Sequence, residues 1–322
     1  MYNLNMKKKI QNDLTVHSLN TLHLSFNDFD GMEQYGKNWS FYCKYRFGTG
    51  GFSGRYDIYQ NENFQLATSY FNDGLMYNGH PPKDTISVLV IMQRKGTLCA
   101  NQKSIYVGEV YIFDDIDEYE VVFSEAITAG IISIKKSFVD LHFPFLYEMT
   151  DRIYKDSDML LSKMLDKVQT EFSSEKKDIE ELFINSLNGS ISNQQEIQRK
   201  LTSGEKLAFE ARNYILQELE SCINVSSLAL KYDISEKTLQ KSFKSLFGFT
   251  PKQFIRILKL NLAHRDITQG AKTVSEVATK WGFNHLGRFS KEYKKLFGVF
   301  PNESLKYYEK ENSHIDNACL VK

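Results

Sequence analysis

Long apolar runs are missing from this 322-residue chain, and other absences narrow it further. No stretch approaches the roughly 20 apolar residues that a membrane-spanning helix needs. The basic start Lys7-Lys8-Lys9 leads into Ile10-Gln11-Asn12-Asp13, too polar for the apolar core of a secretory signal, so a cytoplasmic protein is expected. The four cysteines, Cys43, Cys99, Cys222 and Cys319, are isolated and form no Cys-x-x-Cys, which argues against a thiolate metal site and fits reduced thiols. The seven histidines, His17, His23, His80, His142, His264, His285 and His314, include no pair two apart. The His-x-His of a metal-dependent barrel enzyme is therefore absent, and His80, within Gly79-His80-Pro81-Pro82, reads as a turn residue. Neither a metal nor another cofactor is expected. Net charge is missing as well, since 40 Lys+Arg balance 40 Asp+Glu.

That balance hides an uneven distribution. Residues 1–204 carry 21 basic and 27 acidic side chains, whereas residues 205–322 carry 19 and 13. Between 225 and 308 the count is 15 against 6. A surface that binds phosphates needs this sign. The length suits two domains.

The basic stretch contains a sequence used twice. Phe243-Lys244-Ser245-Leu246-Phe247-Gly248-Phe249-Thr250-Pro251 returns as Tyr293-Lys294-Lys295-Leu296-Phe297-Gly298-Val299-Phe300-Pro301. Upstream, Val225, Leu228, Ala229, Lys231, Tyr232 and Ile234 align with Val274, Val277, Ala278, Lys280, Trp281 and Phe283, with one extra residue in the second turn. A repeat of this period is a supersecondary unit used twice. In the first copy a short helix spans Val225 to Tyr232. Ser235 caps a second helix from about Glu236 to Phe247, whose Leu239, Phe243, Leu246 and Phe247 form an inward stripe. Gly248 ends it and Pro251 opens the next helix. Each copy reads as a helix-turn-helix, the second starting at Thr273 or Ser275, capped by Asn284 and closed by Gly298. Pro251 to Ile267 reads as one linker helix with Phe254, Ile257, Leu258 and Leu262 on one face. Such a helix sets the distance between two reading heads, which suits neighbouring major grooves about 34 Å apart.

Trp281-Gly282-Phe283, Gly287-Arg288-Phe289-Ser290, Tyr293, Phe297-Gly298 and Pro301 resemble the DNA-binding domain of the AraC/XylS family of transcription regulators. The resemblance covers roughly the last third of the chain. It departs at Asn302-Glu303-Ser304, where the family often has Ser directly after Pro. Residues opposite each inward stripe are the candidates for DNA contact: Lys237, Gln240, Lys241 and Lys244 in the first copy, His285, Arg288, Ser290, Lys291 and Lys294 in the second. Gln and Lys can bond the major-groove edges of adenine and guanine. Residues near a reading helix's N-terminus reach bases, so Lys244 and Lys294, further along, are assigned to phosphates. The resemblance supports Lys237, Gln240 and Lys241 as base contacts, whereas Arg288 has the alternative of bracing the fold or gripping a phosphate.

Upstream, residues 41–134 read as β-rich. Candidate strands are Phe41 to Phe47, Phe64 to Phe71, Ile86 to Gln93, Ile105 to Phe113, Tyr119 to Phe123 and Ala129 to Ile134. Turn signals separate them at Asn72-Asp73-Gly74, Lys95-Gly96, Gly108-Glu109 and Asp114-Asp115. Short, evenly spaced strands suit a small barrel. The resemblance implies a cupin-like one. Its aromatics (Phe41, Tyr42, Tyr45, Phe47, Tyr56, Tyr59, Phe64, Tyr70, Phe71 and Tyr77) read either as core or as the lining of an effector pocket. The acidic run Asp114-Asp115-Ile116-Asp117-Glu118 reads as a solvated turn, with cation binding as the alternative. Two helical stripes follow, Leu161, Met164, Leu165, Val168 and Phe172, then Ile179, Leu182, Phe183 and Leu187. They either pack on the barrel or pair subunits, and the resemblance favours pairing.

The expected fold is multi-domain α+β, an N-terminal β-rich cupin-like barrel with helices and a C-terminal all-α domain of two helix-turn-helix units joined by a linker helix. The sensor and dimerisation domain is expected over 1–187, a linker over 188–204, the DNA-binding domain over 205–308 with its first helix from Glu205 to Glu220, and a loose tail over 309–322. The resemblance implies a sequence-specific, DNA-binding transcription regulator, an activator rather than a repressor. Its partners would be double-stranded promoter DNA, RNA polymerase, a small-molecule effector and a second copy of the chain. The alternatives are a ligand-independent dimeric DNA-binding protein and an enzyme joined to a DNA-binding domain. The enzyme would be a catalytic cupin or a DNA-repair methyltransferase, against which the scattered histidines and cysteines argue.

Overall fold

The computed structural model describes residues 15–18, 21–27, 29, 39–115, 118–170, 176–191, 196–221, 223–271 and 273–307. The basic start, Asp117, Phe172, Cys222, Cys319, His314 and the tail from residue 309 lie outside them. The chain divides into two compact units, Met1–Lys44 with Ser53–Lys200, and Tyr45–Phe52 with Leu201–Lys322.

The first unit is one sheet with helices on one face. Its strands are β1 (Thr15–Ser18), β2 (Thr21–Phe26), β3 (Ser40–Arg46), β4 (Gly54–Gln60), β5 (Phe64–His80), β6 (Thr85–Arg94), β7 (Leu98–Ala100), β8 (Lys103–Ser104), β9 (Glu109–Asp114), β10 (Tyr119–Lys135) and β11 (Arg152–Lys155). They run β1-β2-β4-β5-β10-β6-β9-β11, neighbours along this path being antiparallel. Off the path, β3 pairs β5, and β7 joins β10 to β8. Among the described residues no pairing joins β1 to β11, so the sheet is open. The β-rich expectation holds, while the closed barrel is not formed by these strands.

One expected turn is not a turn, and two expected strands are one. Asn72-Asp73-Gly74 lies inside β5, which is 17 residues long, and the two segments read at Tyr119 to Phe123 and Ala129 to Ile134 are a single strand, β10. The register runs through the site, with Phe71 opposite Ile127, Asp73 opposite Glu125 and Leu75 opposite Phe123. A Cβ on Gly74 would strike the carbonyl of Ser124. Glycine stands there to let two backbones approach, which mimics a turn signal in the sequence.

Ile86, Val88, Val90, Ile132, Ile134, Phe64 and Leu66 share one sheet face, because alternate residues of a strand point the same way. Against them pack α1 (Lys136–His142), α2 (Leu160–Thr170) and α3 (Lys176–Ile191) through Val139, Leu161, Met164, Leu165, Phe183 and Leu187. Of the two expected stripes, Leu161, Met164, Leu165, Ile179, Phe183 and Leu187 are buried in this core and Leu182 is partly buried, while Phe172 and the side chain of Val168 lie outside what the structure describes. Asp114 and Asp115 of the acidic run are paired locally, since the Lys136 ammonium sits 2.8 Å from Asp114 and 2.7 Å from Asp115.

Asp156 organises the helix pair. Its buried carboxylate accepts from the backbone N–H groups of Leu161 (2.9 Å) and Ser162 (3.0 Å), and from the hydroxyls of Ser162 (2.8 Å) and Ser190 (2.9 Å). The first three bonds cap α2, where the helix dipole favours an anion, and the fourth ties in α3. Polar Ser190 thus belongs to a helix end, and α3 continues to Ile191 where a linker from residue 188 was expected. Further along, Ile197 N–H donates to the Ile153 carbonyl at 2.8 Å, and the Arg199 guanidinium forks onto the Glu109 carboxylate.

The second unit is helical: α4 (Ser203–Gln217), α5 (Val225–Lys231), α6 (Glu236–Phe247), α7 (Pro251–Thr268), α8 (Val274–Lys280) and α9 (Leu286–Phe297). Helix α4 starts and ends a few residues before the Glu205–Glu220 span expected, because Thr202 and Glu205 form a reciprocal capping box. Its Ala208, Ala211 and Ile215 are buried as expected. Tyr45 and Phe47, which read as barrel aromatics, belong to this unit instead.

Candidate nucleic-acid interface

Each helix-turn-helix is built by local signals that agree with one another. The Ser235 hydroxyl accepts from Thr238 N–H and caps α6. Leu239, Phe243, Leu246 and Phe247 are buried, and Gly248 takes φ +79° to end the helix. In the second copy Thr273 caps α8, Phe289, Tyr293 and Leu296 are buried, and Gly298 repeats the left-handed ending at φ +83°. The turns also correspond. Asp233 (φ +50°) stands where the second copy has Gly282 (φ +78°). The turn before α6 runs over residues 232–235 and the one before α9 over 281–285, which places the extra residue of the second copy there. One expected cap is corrected: His285, not Asn284, occupies the N-cap of α9, and its side chain makes no cap hydrogen bond. The added turn residue moves the helix start one position along.

Helix α7 belongs to both cores. Phe254, Ile255 and Leu258 are buried in its first half, with the ring of Phe254 5.2 Å from that of Phe243, and Leu260, Ala263 and Ile267 join the core of the second copy. The single apolar face expected from the sequence is therefore replaced by burial on several sides, with Ile257 and Leu262 only partly buried. At 18 residues α7 is about 27 Å long. Its far end anchors the second turn: the Asp266 carboxylate accepts from the Trp281 indole N–H at 2.8 Å and from the Lys280 ammonium at 2.7 Å. Asp266→Ala leaves the buried indole N–H without an acceptor and should cost the second unit about 1–3 kcal/mol. In a Trp39→Phe background, emission of the remaining Trp281 should shift as the unit melts at lower temperature. An unchanged melt would show that this bond does not hold the turn.

The candidate contact residues lie as follows. Lys237, Gln240, Lys241 and Lys244 are exposed on the face of α6 opposite its buried stripe. On α9, His285, Arg288, Lys291 and Lys294 are exposed and Ser290 is half-buried. Both faces are cationic, and each helix adds the partial positive charge of its N-terminus, where anions are favoured. Two residues have intramolecular partners. Arg288 Nε donates to Glu292 at 2.9 Å, and Glu292 also pairs with Arg256 of α7. Burial raises the pKa of the Glu292 carboxyl, but the hydrogen bonds from Arg256 and Arg288 outweigh it and hold it below its ordinary value. Arg288 is thus linked to the linker helix through a shared carboxylate. Lys294 Nζ lies 4.1 Å above the ring of Phe300. The sequence reading missed Leu286, which continues the spacing of Phe289 and Tyr293 and so reads as core. It is exposed in the first turn of α9, where an apolar side chain can meet a thymine methyl. Among the described residues, no group of three or more His, Cys, Asp and Glu side chains could hold a metal ion, and no helix is long and apolar enough to cross a membrane.

Two copies of the same two-helix unit, each with a cationic exposed face and joined by a helix common to both cores, define a DNA-binding domain of the double helix-turn-helix class. A helix-turn-helix domain family matches residues 228–307. The chain is similar to the probable thc operon regulatory protein of Rhodococcus erythropolis, 33% identical over 99 residues, 30% of this chain and 30% of that protein. It is also similar to the XylDLEGF operon transcriptional activator of Pseudomonas putida, 31% identical over 119 residues, 36% and 37% of the two chains. The solved AraC-like transcriptional activator CuxR aligns with 76% of this chain and 96% of its own at 12% identity and a TM-score of 0.43. The matched stretch spans about a third of the two curated relatives. The C-terminal domain is of the AraC/XylS type.

Proposed function

We propose that the protein is a sequence-specific transcription regulator of the AraC/XylS type that acts in the cytoplasm on double-stranded promoter DNA, as an activator working with RNA polymerase. The observation that carries this reading is the pair of exposed cationic helix faces on one unit, with a linker helix packed into both cores. Lys237, Gln240 and Lys241 of the first head are assigned to bases, as are His285, Ser290 and Lys291 of the second. Lys244 and Lys294 are assigned to phosphates. Arg288, tied to Glu292, braces the second head or grips a phosphate. The test is selection of genomic DNA by the purified full-length chain at fixed salt. Enrichment of a few promoter sites supports the regulator. Diffuse, salt-sensitive capture alone would argue for an architectural DNA-binding protein instead.

The same proposal makes residues 1–187 a cupin-like sensor of a small effector. A buried polar row supports it. Gln65, Ser133 and Ser87 lie side by side on three strands, with Ser133 opposite both of the others, on the sheet face away from the helices. All three are buried, and the Gln65 carbonyl oxygen and both hydroxyls lack hydrogen-bond partners. Unpaired buried polar atoms ask for water or a polar ligand. Phe113, opposite Ser87, adds an aromatic wall. A neutral, hydrogen-bonding effector suits that lining, and the response would be a shift between two arrangements of the DNA-binding domains. Native mass spectrometry of the chain from its own host should find a small polar molecule retained by it. An empty chain whose DNA binding no metabolite extract alters would count against sensing. The homodimer in this proposal rests on the family resemblance alone.

A further inference from the structure

One segment of the N-terminal half is built into the DNA-binding unit. Tyr45–Phe52 comprises the last two residues of β3 and the connection towards β4, yet it clusters with Leu201–Lys322. Asn261, in the middle of α7, holds it. The Asn261 amide oxygen accepts from Arg46 N–H at 2.8 Å, and its nitrogen donates to the Arg46 carbonyl at 2.9 Å and to the Ile257 carbonyl at 2.8 Å. Asparagine is a poor choice for the buried side of a helix, since it competes with the backbone and must be desolvated. Here every bond it makes is to backbone, and two of the three are to the segment. Phe47 follows, buried, with its ring 5.2 Å from that of Phe249 and 5.6 Å from that of Phe254. Gly50, at φ +88°, then donates its N–H to the Lys295 carbonyl at 2.7 Å, in the last turn of α9.

The segment therefore touches three parts of the DNA-binding unit in sequence: the end of the first head at Phe249, the linker helix at Asn261 and the end of the second head at Lys295. Two of its contacts, Phe47 with Phe249 and Gly50 with Lys295, fall at the C-terminal ends of the two heads. Bases are met at the N-terminal ends, so these two contacts are away from the proposed DNA face. We propose that Tyr45–Phe52 is a brace that sets the orientation of one reading head relative to the other, with Asn261 as its positioning residue. Because the brace includes the end of β3 and leads into β4, a change in those strands has a covalent route to head orientation. The inference goes beyond DNA binding itself, which the two heads carry without it.

The test uses the full-length chain with Asn261→Leu, which keeps similar bulk and removes all three bonds. Amide hydrogen exchange of residues 45–52 should speed about tenfold or more, because the local opening energy falls. On a selected promoter site, affinity should fall about tenfold, equivalent to about 1.4 kcal/mol. Hydroxyl-radical protection should persist at one head's groove and weaken at the other, while affinity for random DNA stays the same. Faster exchange with unchanged footprint and affinity would overturn the proposal, leaving the segment as packing only. Unchanged exchange would overturn it too, as would tighter binding, which would make the segment a restraint. If Asn261→Leu does not fold, Gly50→Ala is the second variant. A Cβ there meets no atom within 4 Å, so only the positive φ is disfavoured. It should weaken protection at the second head alone, and intact protection with faster exchange at residue 50 would sink the brace.

Discussion

Replacing Gln240 and Lys241 of α6 together by alanine should lower affinity for a selected promoter site about 100-fold while lowering affinity for random DNA only a few-fold. The reason is positional. Both side chains are exposed in the first half of the reading helix, one turn beyond the Ser235 cap, and neither supports the core formed by Leu239 and Phe243. A bidentate contact from such a position is worth about 1–3 kcal/mol of discrimination between base pairs. The salt dependence separates base contacts from phosphate contacts. Gln240→Ala should leave the slope of log affinity against log salt unchanged, whereas a phosphate-bound lysine carries about one unit of it. Lys244→Ala should reduce that slope and weaken specific and random binding alike. Equal losses on both kinds of DNA for Gln240→Ala would show that α6 lies on the backbone rather than in the groove.

The second large effect is on stability. Asp156→Ala should destabilise the first unit by about 3–4 kcal/mol and lower its melting transition by roughly 10 °C. Truncation leaves two backbone N–H groups at the start of α2 and the hydroxyls of Ser162 and Ser190 without their acceptor. Asp156 is buried, so water does not replace the carboxylate without some opening of the helix pair. Asp156→Asn should recover part of the loss, because its amide oxygen still accepts on one side and the one serine hydroxyl that faces the amide nitrogen can turn to accept from it. The melting of the second unit should be unaffected by either substitution. A shift under about 2 °C for Asp156→Ala would mean that these donors find other partners at small cost.

The second unit was largely legible in the sequence because its signals are local. A cap at Ser235, an inward stripe, a glycine that can take positive φ and a proline that opens the next helix each act within a few residues, and the repeat doubles every one of them. Where locality failed, so did the reading. The cap of α9 moved from Asn284 to His285, because a turn longer by one residue changes where helical geometry begins. Leu286 fits the apolar spacing yet projects past the end of the core. In the first unit two misreadings share one cause, a partner distant in sequence. Gly74 answers to Ser124 and Ser190 to Asp156. The brace is the extreme case. Phe41 to Phe47 reads as one aromatic strand, and nothing within it shows that its end meets Asn261, 215 residues from Arg46. Asn261 itself held the only hint, a polar residue on a helix otherwise buried by apolar ones.

Two reading heads joined by one helix should enter successive major grooves on one face of the DNA. Hydroxyl-radical footprinting of the full-length chain on a promoter fragment recovered by genomic selection tests it most directly. Two protected segments about 10 base pairs apart are expected, with Gln240→Ala weakening one and Lys291→Ala the other. A single protected segment, or one that both substitutions weaken equally, would contradict it.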